Sequence, residues 1–262
     1  MSAFADLHHA DEPLLLPNAW DHASAHLLAA HGFRAVGTTS LAAAAAAGLP
    51  DGAAATREET LRLARTLGPG PFLLSVDAEG GFGDDPDEVA EFARELYALG
   101  AAGINLEDGL GPADRHAAKI AAVRAAAPGL FVNARTDTYW LADGEDTTRR
   151  LDAYVEAGAH GVFVPGLTGP REITGLVRGL AGVPLNVLHS PAGPSVPRLA
   201  DLGVRRVSLG SLLYRRALGA AVEAAAAVRA GRGPKGTTPS YEEVQSLSRR
   251  NRGGSGGTAS PG

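Results

Sequence analysis

The chain has 262 residues, of which 45% are hydrophobic and 20% are charged, a balance typical of globular domains. Its net charge of −5, with no long basic run, argues against nucleic acid as a partner, and the lack of cysteine excludes disulfides, thiolate metal ligands and a cysteine nucleophile. Residues 1–13 do not resemble a signal peptide and no apolar run is long enough to cross a bilayer, so we expect a cytoplasmic enzyme with no membrane partner.

Apolar segments alternate with helical patterns eight times along the chain. The predicted strands span residues 14–16, 34–38, 72–76, 102–106, 130–134, 160–164, 183–188 and 204–209. Most of them show little polar alternation, as strands buried on both faces do. Eight βα units in about 210 residues predict an α/β fold, a (β/α)8 TIM-type barrel. A doubly wound open sheet is the alternative, but no Gly-rich dinucleotide fingerprint follows any strand.

Local sequence signals predict where the helices between these strands begin and end. Thr56, with Glu59 three residues later, predicts a capping box for a helix over 57–67. Most histidines fall on helices or at strand starts and are expected to be structural. His8 and His9 precede the first strand and are expected to be solvated.

The composition divides the chain into three parts. Residues 1–230 are predicted to form a single barrel domain that ends in a long alanine-rich helix. Residues 231–252 contain a Gly/Pro linker and one further helix, over 239–250. Residues 253–262 are rich in glycine and serine, which predicts a disordered tail.

Polar residues recur where successive strands end, which is the catalytic end of an α/β barrel. They are Ser40 after the second strand, Asp77 and Glu79 after the third, Glu107 and Asp108 after the fourth, Arg135 and Asp137 after the fifth, and Asn186 and His189 after the seventh. Several carboxylates around one opening repel each other unless a cation lies among them. The pattern therefore predicts a divalent ion such as Mg²⁺ together with Arg135, and the alternative is a ring of structural salt bridges.

The acidic residues have separate interpretations. Asp77 is the leading metal ligand, because a carboxylate at a strand end before a glycine-rich turn suits a hard cation. Glu79 and Glu107 are expected to ligate directly or through water. Arg135 can clamp a carboxylate or stabilise an enolate oxygen, or it can pair with Asp137 for structure alone.

For the remaining candidates, the residues alone leave both a functional and a structural role open. Ser40 and the backbone around it can bind a carboxylate or merely cap a strand. Asp51 lies in a Gly/Pro loop, where an aspartate often only makes a turn. His189 is equally compatible with a substrate contact and with a structural role.

Six motifs, found in order over residues 13–230, together resemble the isocitrate lyase/phosphoenolpyruvate mutase superfamily, in particular its phosphonomutase-like branch. They are Pro17-Asn18-Ala19-Trp20-Asp21, Gly48-Leu49-Pro50-Asp51, Ser75-Val76-Asp77-Ala78-Glu79-Gly80-Gly81-Phe82-Gly83, Ile104-Asn105-Leu106-Glu107-Asp108-Gly109, Asn133-Ala134-Arg135-Thr136-Asp137 and Gly203-Val204-Arg205-Arg206-Val207-Ser208-Leu209-Gly210.

The resemblance implies a barrel that binds Mg²⁺, or Mn²⁺, and a 2-oxo acid or its enolate. It implies that Asp77 holds the metal and that Glu79 and Glu107 complete the site, largely through water. Arg135 would contact the substrate, whose carboxylate would bind at Ser40 and Leu41. Asp51 would lie over the reacting group. The family also implies a homotetramer in which the C-terminal helix exchanges between neighbours; the candidates for this exchange are the long helix after Leu212 and the helix within residues 231–252.

Four departures from the family pattern affect the reaction. The isocitrate and methylisocitrate lyases carry a Lys-Lys-Cys-Gly-His loop after the fourth strand, and here residues 108–116 differ and contain no cysteine. A glutamate that the lyases place after the sixth strand is replaced by Pro165-Gly166. Glu79 stands where many members have aspartate. The lysine and asparagine that the mutases carry in the gating loop are also missing.

Three functions remain open at this point. The first is a Mg²⁺-dependent lyase that cleaves a C–C bond of a small 2-oxo or hydroxy carboxylic acid through a metal-bound enolate, with Asn186 and His189 as further substrate contacts. The second is a phosphonomutase or phosphonopyruvate-type enzyme that makes or breaks a P–C bond. The third is a non-catalytic barrel that binds an oxo acid.

Overall fold

The computed structural model describes residues 2–142 and 144–248, and it contains one sheet of eight parallel strands. The strands are β1 (Leu14–Leu16), β2 (Ala35–Gly37), β3 (Leu73–Asp77), β4 (Ala101–Glu107), β5 (Phe131–Arg135), β6 (Gly161–Val164), β7 (Leu185–Leu188) and β8 (Arg206–Ser208). Their order is β1-β8-β7-β6-β5-β4-β3-β2, so β8 returns to pair with β1. The predicted (β/α)8 barrel is confirmed, and the open-sheet alternative is wrong.

The gap between β1 and β2 is closed by the backbone that follows β1. Gly37 N donates to Pro17 O and Ala19 N donates to Gly37 O, each over 2.8 Å. A Cβ at position 37 would lie only 2.7 Å from Asn18 Nδ2. A side chain at this position would press on the Asn18 amide, where the two ends of the sheet meet.

Twelve helices lie in the described residues and surround or follow the barrel. They are α1 (Ala3–Asp6), α2 (His22–Ala30), α3 (Ser40–Ala47), α4 (Arg57–Leu67), α5 (Pro86–Ala98), α6 (Ala113–Ala126), α7 (Thr138–Leu141), α8 (Thr147–Glu156), α9 (Pro170–Gly179), α10 (Val196–Asp201), α11 (Leu212–Arg229) and α12 (Tyr241–Leu247). None of them is long and apolar enough to cross a bilayer. Most of them pack on the strands in a large apolar core, and α1 contributes Phe4 and Ala5 to a second, smaller cluster with Leu16 and Phe131.

Helix α1 closes the end of the barrel opposite the strand ends that carry the acidic residues. Phe4 and His8 are each 1% exposed. The His8 ring stacks on Phe131, the first residue of β5, with centroids 4.3 Å apart, and its Nδ1 donates to Phe4 O over 2.8 Å. The expectation that His8 is solvated is wrong, because these two aromatic rings enclose it.

The C-terminal region differs in packing from the barrel. Helix α11 has no buried residue, whereas α12 packs on α2, where Leu247 is buried and its carbonyl lies 3.3 Å from His22 Nε2. The helix predicted over 239–250 is present over a shorter span. The predicted tail, 253–262, lies outside the described residues.

Candidate active site

Asp77 is the last residue of β3, and its carboxylate is held at the barrel opening by the segment that follows β2. Asp77 N donates to Thr38 Oγ1 over 2.9 Å, and Ser40 N donates to Asp77 Oδ2 over 3.0 Å. Ser40 begins α3, so its N–H is one of the donors that a helix start leaves free. Leu41 is half-buried next to it. The structure thus brings Ser40 and Leu41 beside the predicted metal ligand.

Arg135 is fixed between two carboxylates at the ends of β4 and β5. Its Nη1 lies 2.7 Å from Glu107 Oε2, and its Nε donates to Asp137 Oδ1 over 2.7 Å. The guanidinium also lies over the Phe163 ring, 5.8 Å from its centroid. Glu107 and Arg135 are partners in the strand register, which accounts for their proximity. The geometry orients the guanidinium at the opening without immobilising all of its N–H groups.

The opening carries more negative than positive charge. Burial raises the pKa of Glu107 to about 8; Arg135 opposes this rise, while Asp77, Asp137 and Glu79 add to it. Burial also raises the pKa of Asp137, again against the influence of Arg135. Four carboxylates therefore act on one another around a single guanidinium. A further cation would relieve their mutual repulsion.

Glu79 fastens a loop to the opening. Thr56 Oγ1 donates to Glu79 Oε1, and Ala54 N donates to Glu79 Oε2 over 3.2 Å. Glu79 is 2% exposed and has a φ of +46°, a backbone conformation rare for residues other than glycine. The predicted capping box of Thr56 is wrong, because its hydroxyl bonds Glu79 and caps no helix. Asp51 lies exposed on the same loop.

Asp108 is a buried anchor rather than a solvated acid. Its side chain is fully buried, and Oδ2 accepts bonds from Tyr154 Oη (2.7 Å), Thr136 Oγ1 (2.8 Å) and Arg150 Nη1 (3.0 Å). Oδ1 accepts from Asp137 N over 3.1 Å. Asp108 therefore ties α8 to the segment that carries Arg135.

The barrel interior below the opening is polar. Arg206 is 1% exposed and donates to Ser208 Oγ (3.2 Å), Ser75 Oγ (3.3 Å) and Asn105 Oδ1 (3.1 Å). Asn186 is the second residue of β7 and exchanges bonds with Ser208 in the same layer. Asn186 thus lies deeper than the strand end where the sequence placed it. Arg206 was missed, although a charged residue inside an apolar strand was visible in the sequence.

His189 directly follows β7, as expected. Its backbone N donates to Ser208 O over 2.9 Å, and the residue is half-buried. Its ring Nδ1 is buried and makes no hydrogen bond within the described residues. The ring thus retains a free polar atom near the opening.

A side cavity of about 400 Å³ lies between the turns that follow β3 and β4. Glu79 and Glu107 border it, and so do Arg115 and Lys119 of α6. Only five residues, 108–112, separate β4 from α6, so the first turns of α6 reach the cavity. No sequence pattern indicated that Lys119 would be buried there.

The carboxylates at the opening are candidate ligands for a divalent cation. No group of three His, Cys, Asp or Glu side chains in the described part of the chain is arranged to enclose a metal. Mg²⁺ commonly keeps several waters and takes only one or two protein carboxylates. Asp77 and Glu107, with oxygen ligands only and an excess of negative charge around them, fit such a site. Glu79 fits as a water-mediated neighbour, since both of its oxygens already accept hydrogen bonds.

Comparisons with known proteins identify the family. Residues 4–229 match the family model described as phosphoenolpyruvate phosphomutase. An uncharacterised protein of Mycobacterium tuberculosis, Rv1998c, is 45% identical over 251 residues, 93% of this chain and 95% of the relative. A solved structure from Burkholderia cenocepacia J2315, with a suggested phosphonomutase activity, is 37% identical with a TM-score of 0.79, covering 84% of this chain and 96% of that one.

Another similar structure was solved with ligands bound. The structure of a phosphonopyruvate hydrolase in complex with oxalate and Mg²⁺ is 25% identical, with a TM-score of 0.83 over 95% of each chain. The superfamily contains Mg²⁺-dependent lyases and phosphonomutases. The family model spans most of the chain, which forms an eight-stranded barrel whose acidic residues meet at one opening. This chain belongs to the phosphoenolpyruvate phosphomutase family, within the isocitrate lyase/PEP mutase superfamily.

Proposed function

We propose that this protein is a cytoplasmic Mg²⁺-dependent lyase that cleaves a C–C bond in a small 2-oxo or 2-hydroxy carboxylic acid. The observation that supports this most directly is the position of Arg135 between Glu107 and Asp137, at 2.7 Å from each, beside Asp77. In a 2-hydroxy acid, the hydroxyl gives up its proton to water as the C2–C3 bond breaks, C2 becomes a carbonyl carbon, and the bonding electrons form an enolate on the C3 fragment. In a 2-oxo acid with a carboxylate on C3, breakage of the C3–C4 bond releases CO2 and leaves the enolate of the 2-oxo acid. A fixed guanidinium stabilises the negative oxygen without having to reorganise.

The side chains have the following roles in this proposal. Arg135 donates its remaining N–H groups to the substrate oxygen on which charge develops. Asp77, with Glu107 and Glu79 directly or through water, would hold Mg²⁺ or Mn²⁺, which supplies Lewis acidity to the same oxygen. The carboxylate of the substrate binds at Ser40 and Leu41.

The other predicted site residues lie around this centre. Asp51, on the loop that Glu79 fastens, is assigned to the reacting group, and His189 to the substrate. Asn186 contacts the substrate only through the polar layer that it shares with Ser208, since it is 1% exposed.

Calorimetric titration of oxalate, with and without Mg²⁺, tests the centre. The wild type is expected to bind oxalate only with Mg²⁺, and Asp77→Ala is expected to abolish this binding. Asp201→Ala, which removes an exposed carboxylate paired with Arg198, is the matched control. Unchanged oxalate binding by Asp77→Ala would rule out the metal assignment.

P–C bond chemistry is the second candidate, and it is favoured by the match of residues 4–229 to the family model described as phosphoenolpyruvate phosphomutase. A substrate panel read in parallel for released pyruvate or glyoxylate and by phosphorus NMR separates the two reactions. Turnover in neither readout, with Mg²⁺-dependent oxalate binding intact, would leave a non-catalytic oxo-acid-binding barrel.

We also propose a homotetramer in which α11 exchanges between neighbours. This helix has no buried residue in the single chain and exposes Leu218, Val222 and Val228. Light scattering coupled to size-exclusion chromatography should give about four times the mass of one chain. A monomer at micromolar concentration would contradict the exchange.

A further inference from the structure

The side cavity between the turns after β3 and β4 is contiguous with the candidate centre but separate from Arg135. Glu79 and Glu107 border both regions, whereas neither Asp77 nor Arg135 lines the cavity. Much of its wall is formed by residues with little or no side chain, such as Gly80, Gly83 and Gly111. A volume of about 400 Å³ accommodates one end of a small organic acid whose other end lies at the centre.

Two cationic side chains of α6 line this cavity. Arg115 and Lys119 are four residues apart, which places them on one face of the helix, and like charges at this spacing destabilise a helix. Arg115 makes one ion pair, with Asp84 at 3.8 Å, and these side chains are 58% and 90% exposed. An exposed pair at this distance contributes little. The charge of Arg115 is thus available to an anion in the cavity.

Lys119 is held more firmly than Arg115. It is 9% exposed, and its ammonium donates to Gly80 O over 3.0 Å and to Gly83 O over 2.7 Å. An ammonium has three N–H donors, so one remains after these two bonds. Lys119 therefore fixes the glycine wall of the cavity and retains a donor beside it.

We infer that Arg115 and Lys119 form a subsite for a second anionic group of the substrate, a distal carboxylate or phosphonate. This inference rests on the proposed function, because it requires the 2-oxo or 2-hydroxy acid end to occupy the centre near Arg135. The substrate class is then a compact acid with an anionic group at each end. With a neutral or apolar distal end, Arg115 would keep only its exposed pair with Asp84, and Lys119 would keep only its two carbonyl acceptors.

Three probes test the subsite by calorimetric titration in Mg²⁺. Oxalate fills the centre and has no distal group, whereas L-malate and 2-hydroxy-3-phosphonopropanoate share a 2-hydroxy acid end and differ in the distal anion. Arg115→Gln is expected to weaken binding of at least one of the longer probes roughly tenfold and to leave oxalate within about twofold. The probe that loses affinity tells whether the subsite takes a carboxylate or a phosphonate.

Arg94→Gln is the matched control. Arg94 lies on the neighbouring helix α5, is 61% exposed, pairs with Glu91 and does not line the cavity, so the same loss of charge should change none of the three affinities. Lys119→Gln should reproduce the selective loss, with a thermal melt to confirm that the barrel is folded.

The two proposals fail in different ways. If Arg115→Gln leaves the longer probes within twofold, or weakens oxalate equally, the subsite is refuted while the centre stands. If the wild type shows no Mg²⁺-dependent oxalate binding, the proposed function is refuted and the subsite with it.

Discussion

The phenolic hydroxyl of Tyr154 donates a hydrogen bond of 2.7 Å to Asp108, which joins α8 to the turn that follows β4. The same carboxylate accepts a bond from the backbone of Asp137, which in turn holds Arg135. One fully buried acid thus connects an outer helix to the guanidinium at the opening.

Asp108→Asn should destabilise the fold more than any exposed aspartate substitution. The amide nitrogen of asparagine cannot accept the hydrogen bonds that a carboxylate oxygen of Asp108 now accepts. Arg150 also loses its buried counter-charge, and we expect the free energy of unfolding to fall by roughly 3–5 kcal/mol. Urea unfolding measures this loss. Asp201→Asn, at the exposed pair with Arg198, should change stability by less than about 1 kcal/mol. Equal effects of the two substitutions would contradict the anchoring role of Asp108.

Arg135→Lys should weaken Mg²⁺-dependent oxalate binding although it keeps the charge. A single ammonium cannot span Glu107 and Asp137 as the planar guanidinium does, so its donors are no longer aimed at the ligand. The expected loss is roughly tenfold to a hundredfold in affinity, measured by titration calorimetry. Arg149→Lys, at an exposed pair with Asp146, serves as the control. Wild-type affinity in Arg135→Lys would show that the ligand does not contact this side chain.

Lowering the pH should reduce the free energy of unfolding, because the folded protein holds His8 neutral. Burial, assisted by the nearby charge of Arg206, lowers the pKa of His8 to about 3. The unfolded chain takes up a proton near pH 6.5, whereas the folded chain does not, so this stability is complete above pH 6.5 and is lost as the pH falls toward the folded pKa. Between pH 7 and pH 4 the loss should be roughly 3 kcal/mol.

His8→Asn isolates this contribution, because the amide can still donate to Phe4 O but cannot titrate. Its unfolding free energy should fall less steeply with acid than that of the wild type. His31→Asn is the matched control. The Nδ1 of His31 also donates to the carbonyl four residues earlier, Leu27 O at 2.9 Å, but His31 is exposed. Parallel pH profiles for His8→Asn and the wild type would be incompatible with a neutral buried His8.

Gly37→Ala should loosen the closure of the barrel. The new Cβ would lie 2.7 Å from Asn18 Nδ2 and 3.1 Å from a Leu16 methyl group, and such overpacking typically costs about 1–3 kcal/mol. Gly175→Ala in α9 meets nothing within 4 Å and should be neutral or stabilising by up to about 1 kcal/mol. Thermal melting of the two variants compares the sites directly. A melting point for Gly37→Ala at or above that of the wild type would show that the Asn18 and Leu16 side chains can move aside.

The sequence predicted the barrel because strand and helix periods alternate eight times, and it predicted the opening because acids follow successive strands. It could not predict what each acid bonds. Glu79 and Asp108 look alike in the sequence, yet Glu79 meets Thr56 and Asp108 meets Tyr154, 23 and 46 residues away. Such partners depend on how loops and outer helices pack, which local patterns do not encode. His8 was misassigned for the same reason, since Phe131 is distant in the sequence.

The bond between Thr56 and Glu79 has a consequence for how this protein can evolve. The Glu79 carboxylate lies between the Thr56 hydroxyl and the opening. The hydrogen bond from this hydroxyl nevertheless fixes the position of the carboxylate. In a saturation library selected for new substrates, position 56 should tolerate serine and reject valine of equal size, although no ligand would ever touch it. The residues open to exchange are those on the exposed stretch just before it, so variation in this loop can alter specificity while its attachment stays constant.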